Sequence, residues 1–214
     1  MKKLLYFILL AFFTNIAFSQ TGTDFWLAPP NITNDHRPSD SDQVYLNITA
    51  LDSAVTVVIE QPANSSFSPI TVNIPANTYQ RVSLVNYCYM LETKPTNTVL
   101  NTGLHIYSDH PISVYYEYDN YNNPDILALK GSNALGTEFY IPLQNYSAFY
   151  NHTFTDTAYA SFDIVATEDN TTVRIYPTRD VNGHQGLQQF TITLNRGQTY
   201  SCAWTGTDLS LIHI

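Results

Sequence analysis

The chain has 214 residues, nine of them basic and eighteen acidic, for a formal charge of −9 at neutral pH. That balance excludes a nucleic-acid binder, which needs a basic footprint to displace counterions from phosphates. Only 13% of residues are charged but 14% are aromatic, enough large side chains to fill a core, so the chain is not a disordered segment.

The N-terminus reads as a secretory leader. Lys2 and Lys3 precede an unbroken apolar run, Leu4–Phe13, and Ala17-Phe18-Ser19 places small residues ahead of a cut before Gln20. Thr14 and Asn15 interrupt the run well short of the ~20 apolar residues that span a bilayer. Residues 1–19 are therefore expected to be removed. The mature chain keeps seven basic residues against eighteen acidic ones, a formal charge of −11. No later segment is apolar enough to span a membrane, so a soluble exported protein is expected, with no stable membrane insertion after cleavage.

From Gly22 the pattern is that of strands. GTDFWLA (Gly22–Ala28) opens the mature chain. Val44, Leu46, Ile48 and Ala50 then alternate with Tyr45, Asn47 and Thr49, and Val55, Val57 and Ile59 resume the alternation after a turn at Asp52-Ser53. This is the period-two signature of an antiparallel hairpin with one buried and one wet face. Ile70, Val72 and Ile74 form the next inward row, stopped by Pro75-Ala76-Asn77. Leu104 and Ile106 lead to Asp109-His110-Pro111, where proline cannot donate to a ladder; Ile112, Val114, Tyr116 and Tyr118 are predicted to form a separate following strand. No stretch of the mature chain keeps helical spacing over several turns.

At Gly136 the text restarts. GTEFYIP (Gly136–Pro142) answers GTDFWLA, IVATEDNTTVRI (Ile164–Ile175) answers ITALDSAVTVVI (Ile48–Ile59), and FTITLNRGQTY (Phe190–Tyr200) answers ITVNIPANTY (Ile70–Tyr79). Three matched blocks in one order argue for internal duplication with a period of one whole domain. Within the second copy Phe162, Ile164 and Ala166 should face inward, as should Val173 and Ile175 after a turn at Glu168-Asp169-Asn170. Phe25 and Phe139 are expected to anchor the two cores, with Trp26 and Tyr140 on the opposite face or at the seam between repeats. The fold class expected is all-β: two tandem antiparallel β-sandwich-like repeats, at 20–135 and 136–208, the second truncated. Leu209–Ile214 (LSLIHI) looks like one reading frame of a transposon end used to build sequencing libraries, so native sequence is expected to stop near Asp208; the plainer alternative is an ordinary short C-terminal strand.

Together, GTDFWLA after a leader, SDHPISVYYEY, GTEFYIP, VATEDNTTVRIYP and LNRGQTY resemble the IgGFc-binding protein N-terminal domain family. The resemblance covers the mature chain to Asp208 and implies an extracellular β-rich module. It also implies a large secreted or surface protein of the Bacteroidota type, with a sorting domain further on. It carries no Fc-contacting residue that can be transferred to a position here.

Searching for chemistry turns up little. There is no G-x-S-x-G elbow, H-E-x-x-H pair or glycine-rich phosphate loop. Ser108-Asp109-His110 has triad residue types, but adjacency in a turn does not align them. Asp35, Asp40 and Asp42 with Asn34 and His36, and Asp119, Asn120, Asn122, Asn123 and Asp125, are oxygen-rich loops that could attract calcium, without EF-hand spacing. Polar loops in solvent are the plainer reading. Six N-x-S/T sequons, at Asn31, Asn47, Asn64, Asn145, Asn151 and Asn170, follow from an Asn- and Thr-rich composition. Cys88 and Cys202 are permitted to pair in an oxidising compartment, or are two buried thiols that never meet. Tyr115–Asn123 (YYEYDNYNN) offers a sugar- or protein-binding patch, unless Tyr116 and Tyr118 are core.

No catalytic, cofactor-binding or metal-binding residue is assigned. The function expected is a secreted or cell-surface, non-enzymatic binding or adhesion module whose partner is an extracellular protein or glycan, with a structural spacer as the alternative and a carbohydrate-active enzyme the weakest reading.

Overall fold

The computed structural model describes residues 20–31, 42–120, 124–144, 159–204 and 209–213. The leader and most of the first acidic loop, including Asn34, Asp35, His36 and Asp40, lie outside the described residues. The class is all-β, as the alternation predicts: fourteen described strands and one four-residue helix, α1 (Cys88–Leu91).

The first half is one seven-stranded antiparallel sheet of β1 (Thr21–Leu27), β2 (Asp42–Ala50), β3 (Val55–Glu60), β4 (Ile70–Ile74), β5 (Tyr79–Ser83), β7 (Leu104–Asn120) and β8 (Asp125–Ala128). Its order is β4-β3-β7-β2-β5, with β1 and β8 also on β7. The two strands expected on either side of Pro111 are instead one, β7. Its start pairs with β3 at His105–Ser108 and its end with β2 at Ile112–Asn120. Residues 109–111 pair with neither, so Pro111 sits where no ladder bond to these strands is required. The Thr56 N–H there donates to the Asp109 carboxylate instead, at 2.9 Å.

Changing partners along β7 folds the sheet over itself and turns its inward rows toward one another. Phe25, Leu46, Ile48, Val57, Ile59, Leu104, Ile106 and Ile112 are all 0% exposed and share one core cluster. Each such side chain contributes about 1.5–3 kcal/mol by leaving water. Tyr116 and Tyr118 belong to the same row and are buried, so the tyrosine-rich segment is half core.

The second half consists of β9 (Tyr140–Gln144), β10 (Ala160–Val165), β11 (Thr171–Pro177), β12 (Phe190–Leu194), β13 (Thr199–Trp204) and β14 (Leu209–His213). They form two smaller sheets, β12-β11-β14-β9 and β10-β13-β6, where β6 (Val99–Leu100) is lent by the first half. Phe162, Val173, Ile175, Leu194, Tyr200, Cys202 and Trp204 make a second core.

The two halves pair their strands in the same register. Ile48 faces Gln80 across β2 and β5; Ile164, 116 positions on, faces Tyr200, 120 positions on. Val55 faces Ile74 across β3 and β4; Thr171 faces Leu194 with the same two displacements. The turn after β4 puts Asn77 at φ 57°, and the turn after β12 puts Gly197 at φ 78°, again 120 positions apart. Both are residues that tolerate a left-handed backbone. β4 and β12 even share a burial pattern, with only Ile74 and Leu194 fully buried.

One expectation is corrected. Phe25 anchors its core at 0% exposed, but Phe139 is 40% exposed. In the first half the inward row from Ile112 to Tyr118 of β7 completes the cluster containing Phe25, and no described strand does this beside Phe139.

Candidate functional site

Where period two buries one face it exposes the other, and the wet face of β5, β2, β7 and β8 carries the densest described set of recognition-type side chains. Register aligns them in rows. Asn47 lies between Arg81 and Tyr115, and Tyr45 lies between Ser83 and Glu117. Arg81 is the hub. Its guanidinium lies 3.5 Å above the Tyr45 ring centroid, and Nη2 donates to Glu117 at 2.9 Å and to Asp119 at 2.7 Å. Nε donates to the second Glu117 oxygen at 3.1 Å, closing a bidentate pair, and the Asn47 amide donates to that oxygen as well. The hydrogen bond to Asp119 holds the Arg81 proton more tightly than usual; burial opposes it, and Glu117 adds to it. Around the hub Tyr79 is 73% exposed and Ile126 55% exposed. Aromatic rings and an arginine held in fixed geometry are the residue types that carry affinity at recognition surfaces.

A second cluster occupies the seam between the halves. His105 is buried, with Nδ1 2.9 Å from Glu60 and Nε2 3.0 Å from Asp24. Its ring stacks on Trp26 at 4.1 Å and on Tyr107 at 4.8 Å. Arg196, from the turn between β12 and β13, reaches over: Nη2 is 3.3 Å from His105 Nδ1 and 3.8 Å from Glu60, and its guanidinium lies 5.0 Å from the Trp26 centroid. Trp26 is thus at the seam, as expected, whereas its counterpart Tyr140 is 69% exposed. Both nitrogens of His105 are engaged by carboxylates, so neither is free to deprotonate a nucleophile, and the cluster reads as a clasp. The seam continues through β6 and β13, through Gly103 N–H to Gly197 O at 3.1 Å, and through a hydroxyl pair, half-buried Thr102 and buried Thr199, at 2.7 Å.

Asp163 lies behind the seam on β10, opposite Ser201 of β13. One of its carboxylate oxygens and the Ser201 hydroxyl are buried with no hydrogen-bond partner among the described residues. Burial pushes its pKa up to about 6.

The remaining sequence candidates are placed as follows. Ser108 donates to the His110 carbonyl at 2.8 Å, while the Asp109 carboxylate takes the Thr56 N–H and lies 3.3 Å from the His110 ring, so the triplet's polar groups are spent locally. Asp119 pairs with Arg81, and Asp125 caps the N–H of Ile126 at 2.8 Å; Asn122 and Asn123 lie outside the described residues. Among the described residues no group of three His, Cys, Asp or Glu is placed to hold a metal ion. Cys88 and Cys202 are both buried and unpaired. Among the described residues no helix is long and apolar enough to cross a membrane.

Sequence reading missed both hubs. Arg81 and Glu117 are 36 positions apart, and Arg196 and His105 are 91 apart. The available signal was alternation itself: Asp24, Trp26, Arg81 and Glu117 all occupy outward positions of strands whose inward rows were legible.

The class that the fold defines is all-β, built of antiparallel sheets. Residues 125–212 match the model of the family described as IgGFc binding protein. No curated protein matches the chain. A solved structure, the crystal structure of Thermotoga maritima 1070, aligns at 13% identity over 52% of this chain and 97% of that one; its TM-score of 0.33 is too slight to bear on fold or function.

Proposed function

We propose that this chain is an exported, non-enzymatic binding module of a secreted or surface protein, and that the β5-β2-β7-β8 face is its recognition surface. The observation that carries the reading is Arg81, fixed between Glu117 and Asp119 above the Tyr45 ring and bordered by exposed Tyr79. Such a face suits an extracellular protein or a glycan, since exposed rings stack on sugar or protein surface and the Arg81 network holds the polar groups beside them in place. Immunoglobulin Fc is one protein to offer it, because the matched family is described by that ligand. The module is read as two tandem sandwich repeats behind a cleaved leader, and shared register supports that reading. It needs no cofactor and avoids nucleic acid because of its acidic surface.

The test uses purified protein against an array of mucin glycans and extracellular proteins, Fc included. Wild type should bind at least one probe, and Arg81→Ala with Tyr79→Ala should weaken it at least tenfold while circular dichroism stays unchanged. Binding that survives both substitutions would move the site elsewhere. No binding to any probe would favour the spacer reading, which the clasp around His105 supports by holding the halves in one orientation.

A further inference from the structure

We propose that Asn182-Gly183, in the connection between β11 and β12, is a self-modification site: the backbone cyclises there and hydrolyses to aspartate and isoaspartate, and the isoaspartate form loosens the seam. The inference is independent of the face around Arg81.

Asparagine is a labile residue when the next backbone nitrogen can reach its side-chain carbonyl carbon. A Cβ on that next residue crowds the approach, and a branched one crowds it most. Along the whole sequence Asn182 is the one asparagine followed by glycine. Asn77, Asn97 and Asn170, which also lie in turns or loops, are each followed by threonine. Asn182 and Gly183 are both exposed, and Gly183 takes a left-handed φ of 79°. They are the two central residues of a tight turn whose flanks, Val181 and His184, exchange both main-chain hydrogen bonds, at 3.0 and 2.9 Å.

The leaving group is held as well. Asn182 Nδ2 donates to the Thr96 hydroxyl at 2.5 Å, and that hydroxyl can return a proton to the nitrogen as it departs. The Gly183 nitrogen forms a bond to Asn182 Cγ, the Cγ–Nδ2 bond breaks, and the proton lost by the glycine nitrogen is matched by the one that ammonia carries away. Water then opens the five-membered imide. Cleavage at Cγ restores the ordinary backbone with aspartate at 182. Cleavage at the main-chain carbonyl leaves isoaspartate, with an extra methylene in the backbone. One water is consumed and one ammonia released.

The consequence comes from what this turn grips. Gly183 packs directly on the Asn97 side chain, with no room for a Cβ between them. His184 Nε2 lies 2.9 Å from Asn97 Oδ1, and the Tyr200 hydroxyl donates to the same oxygen at 2.5 Å. Asn97 belongs to the first half, and its N–H donates to the Ser201 carbonyl at 2.8 Å. The Asn182 N–H donates to the Ala203 carbonyl at 2.8 Å. A methylene added to the backbone at 182 drives Gly183 against Asn97 and spoils the two-residue spacing between Val181 and His184. Aspartate keeps that spacing, and its carboxylate can accept from the Thr96 hydroxyl, so it leaves the grip intact.

The test incubates the whole folded protein at pH 8 and 37 °C. Peptide mass, isoaspartate-specific methylation and amide hydrogen exchange are followed over time. A gain of about 1 Da is expected in the peptide spanning Asn182, faster than at any other asparagine, with isoaspartate among the products and no gain there in Asn182→Ser. In the isoaspartate fraction exchange should quicken at least tenfold at Asn97 and at 181–184. Asn182→Asp should exchange there as wild type does. The proposal is overturned if another asparagine converts first, or if Asn182 converts only in denaturant. It is equally overturned if the isoaspartate fraction exchanges like wild type, or if Asn182→Asp loosens the turn as much as isoaspartate does.

Discussion

Asp163 gives the sharpest test of the packing behind the seam. Its carboxyl has an ordinary value of 3.8 and is pushed up to about 6 by burial on β10. A raised carboxyl means that the folded state holds the proton more tightly than the unfolded one. Below about pH 4 both states are protonated and the site costs nothing. As pH climbs from 4 to 6 the unfolded chain ionises first, and stability falls. Above 6 the folded protein carries the buried charge and the whole cost is in force. Roughly two pKa units correspond to ~3 kcal/mol at neutral pH. Asp163→Asn removes the charge at nearly constant volume and gives the unpartnered Ser201 hydroxyl a neighbour able to donate. Each kcal/mol moves the Tm of a chain this size by about 2–4 °C. The variant should therefore melt about 6–12 °C above wild type at pH 7.5 and within about 2 °C of it at pH 4. Circular dichroism melts of both proteins at half-unit pH steps provide the comparison, and subtracting the curves removes the contribution of every other acid. A pH-independent difference, or a variant less stable at pH 7.5, refutes the argument.

Three further outcomes follow from the seam and the cores. A Cβ on Gly103 would lie 2.6 Å from the Gly197 carbonyl oxygen and 2.8 Å from Val165, and the first of these is backbone that cannot step aside; Gly103→Ala should cost about 1–3 kcal/mol in urea unfolding. Arg196→Ala removes a half-exposed cation from Glu60, His105 and Trp26, so a loss of at most about 1 kcal/mol is expected, together with a changed Trp26 emission. Burial pushes the Cys202 thiol up to about 12 and raises that of Cys88 as well; a thiol reagent at pH 8 should label neither in the folded protein and both in denaturant, whereas a disulfide would leave both unlabelled in either.

Inward rows were legible because burial on one face writes itself locally, every second residue, without reference to partners. Val44 to Ala50, Val55 to Ile59 and Ile112 to Tyr118 could each be read from their own few letters, and all are core. What β7 does at Pro111 was not legible. The proline breaks a ladder, but whether the strand ends or changes partner depends on β3 and β2, far earlier in the chain. The outward side chains were harder still. Arg81 acquires meaning only when β5 lies beside β2 and β2 beside β7, which brings Glu117 and Asp119 within 3 Å of it.

The two aromatic-bearing phrases make the point most directly. GTDFW and GTEFY differ little in letters, and each places its phenylalanine at the same point of a strand or its approach. One ring is sealed at 0% exposure and the other stands at 40%. The local text cannot distinguish them, because the cover comes from elsewhere: Gly131, far along the chain, lies against the Phe25 ring. An apolar side chain in a repeat specifies a demand for cover. Whether the demand is met is a property of the neighbour, which a few local letters do not contain.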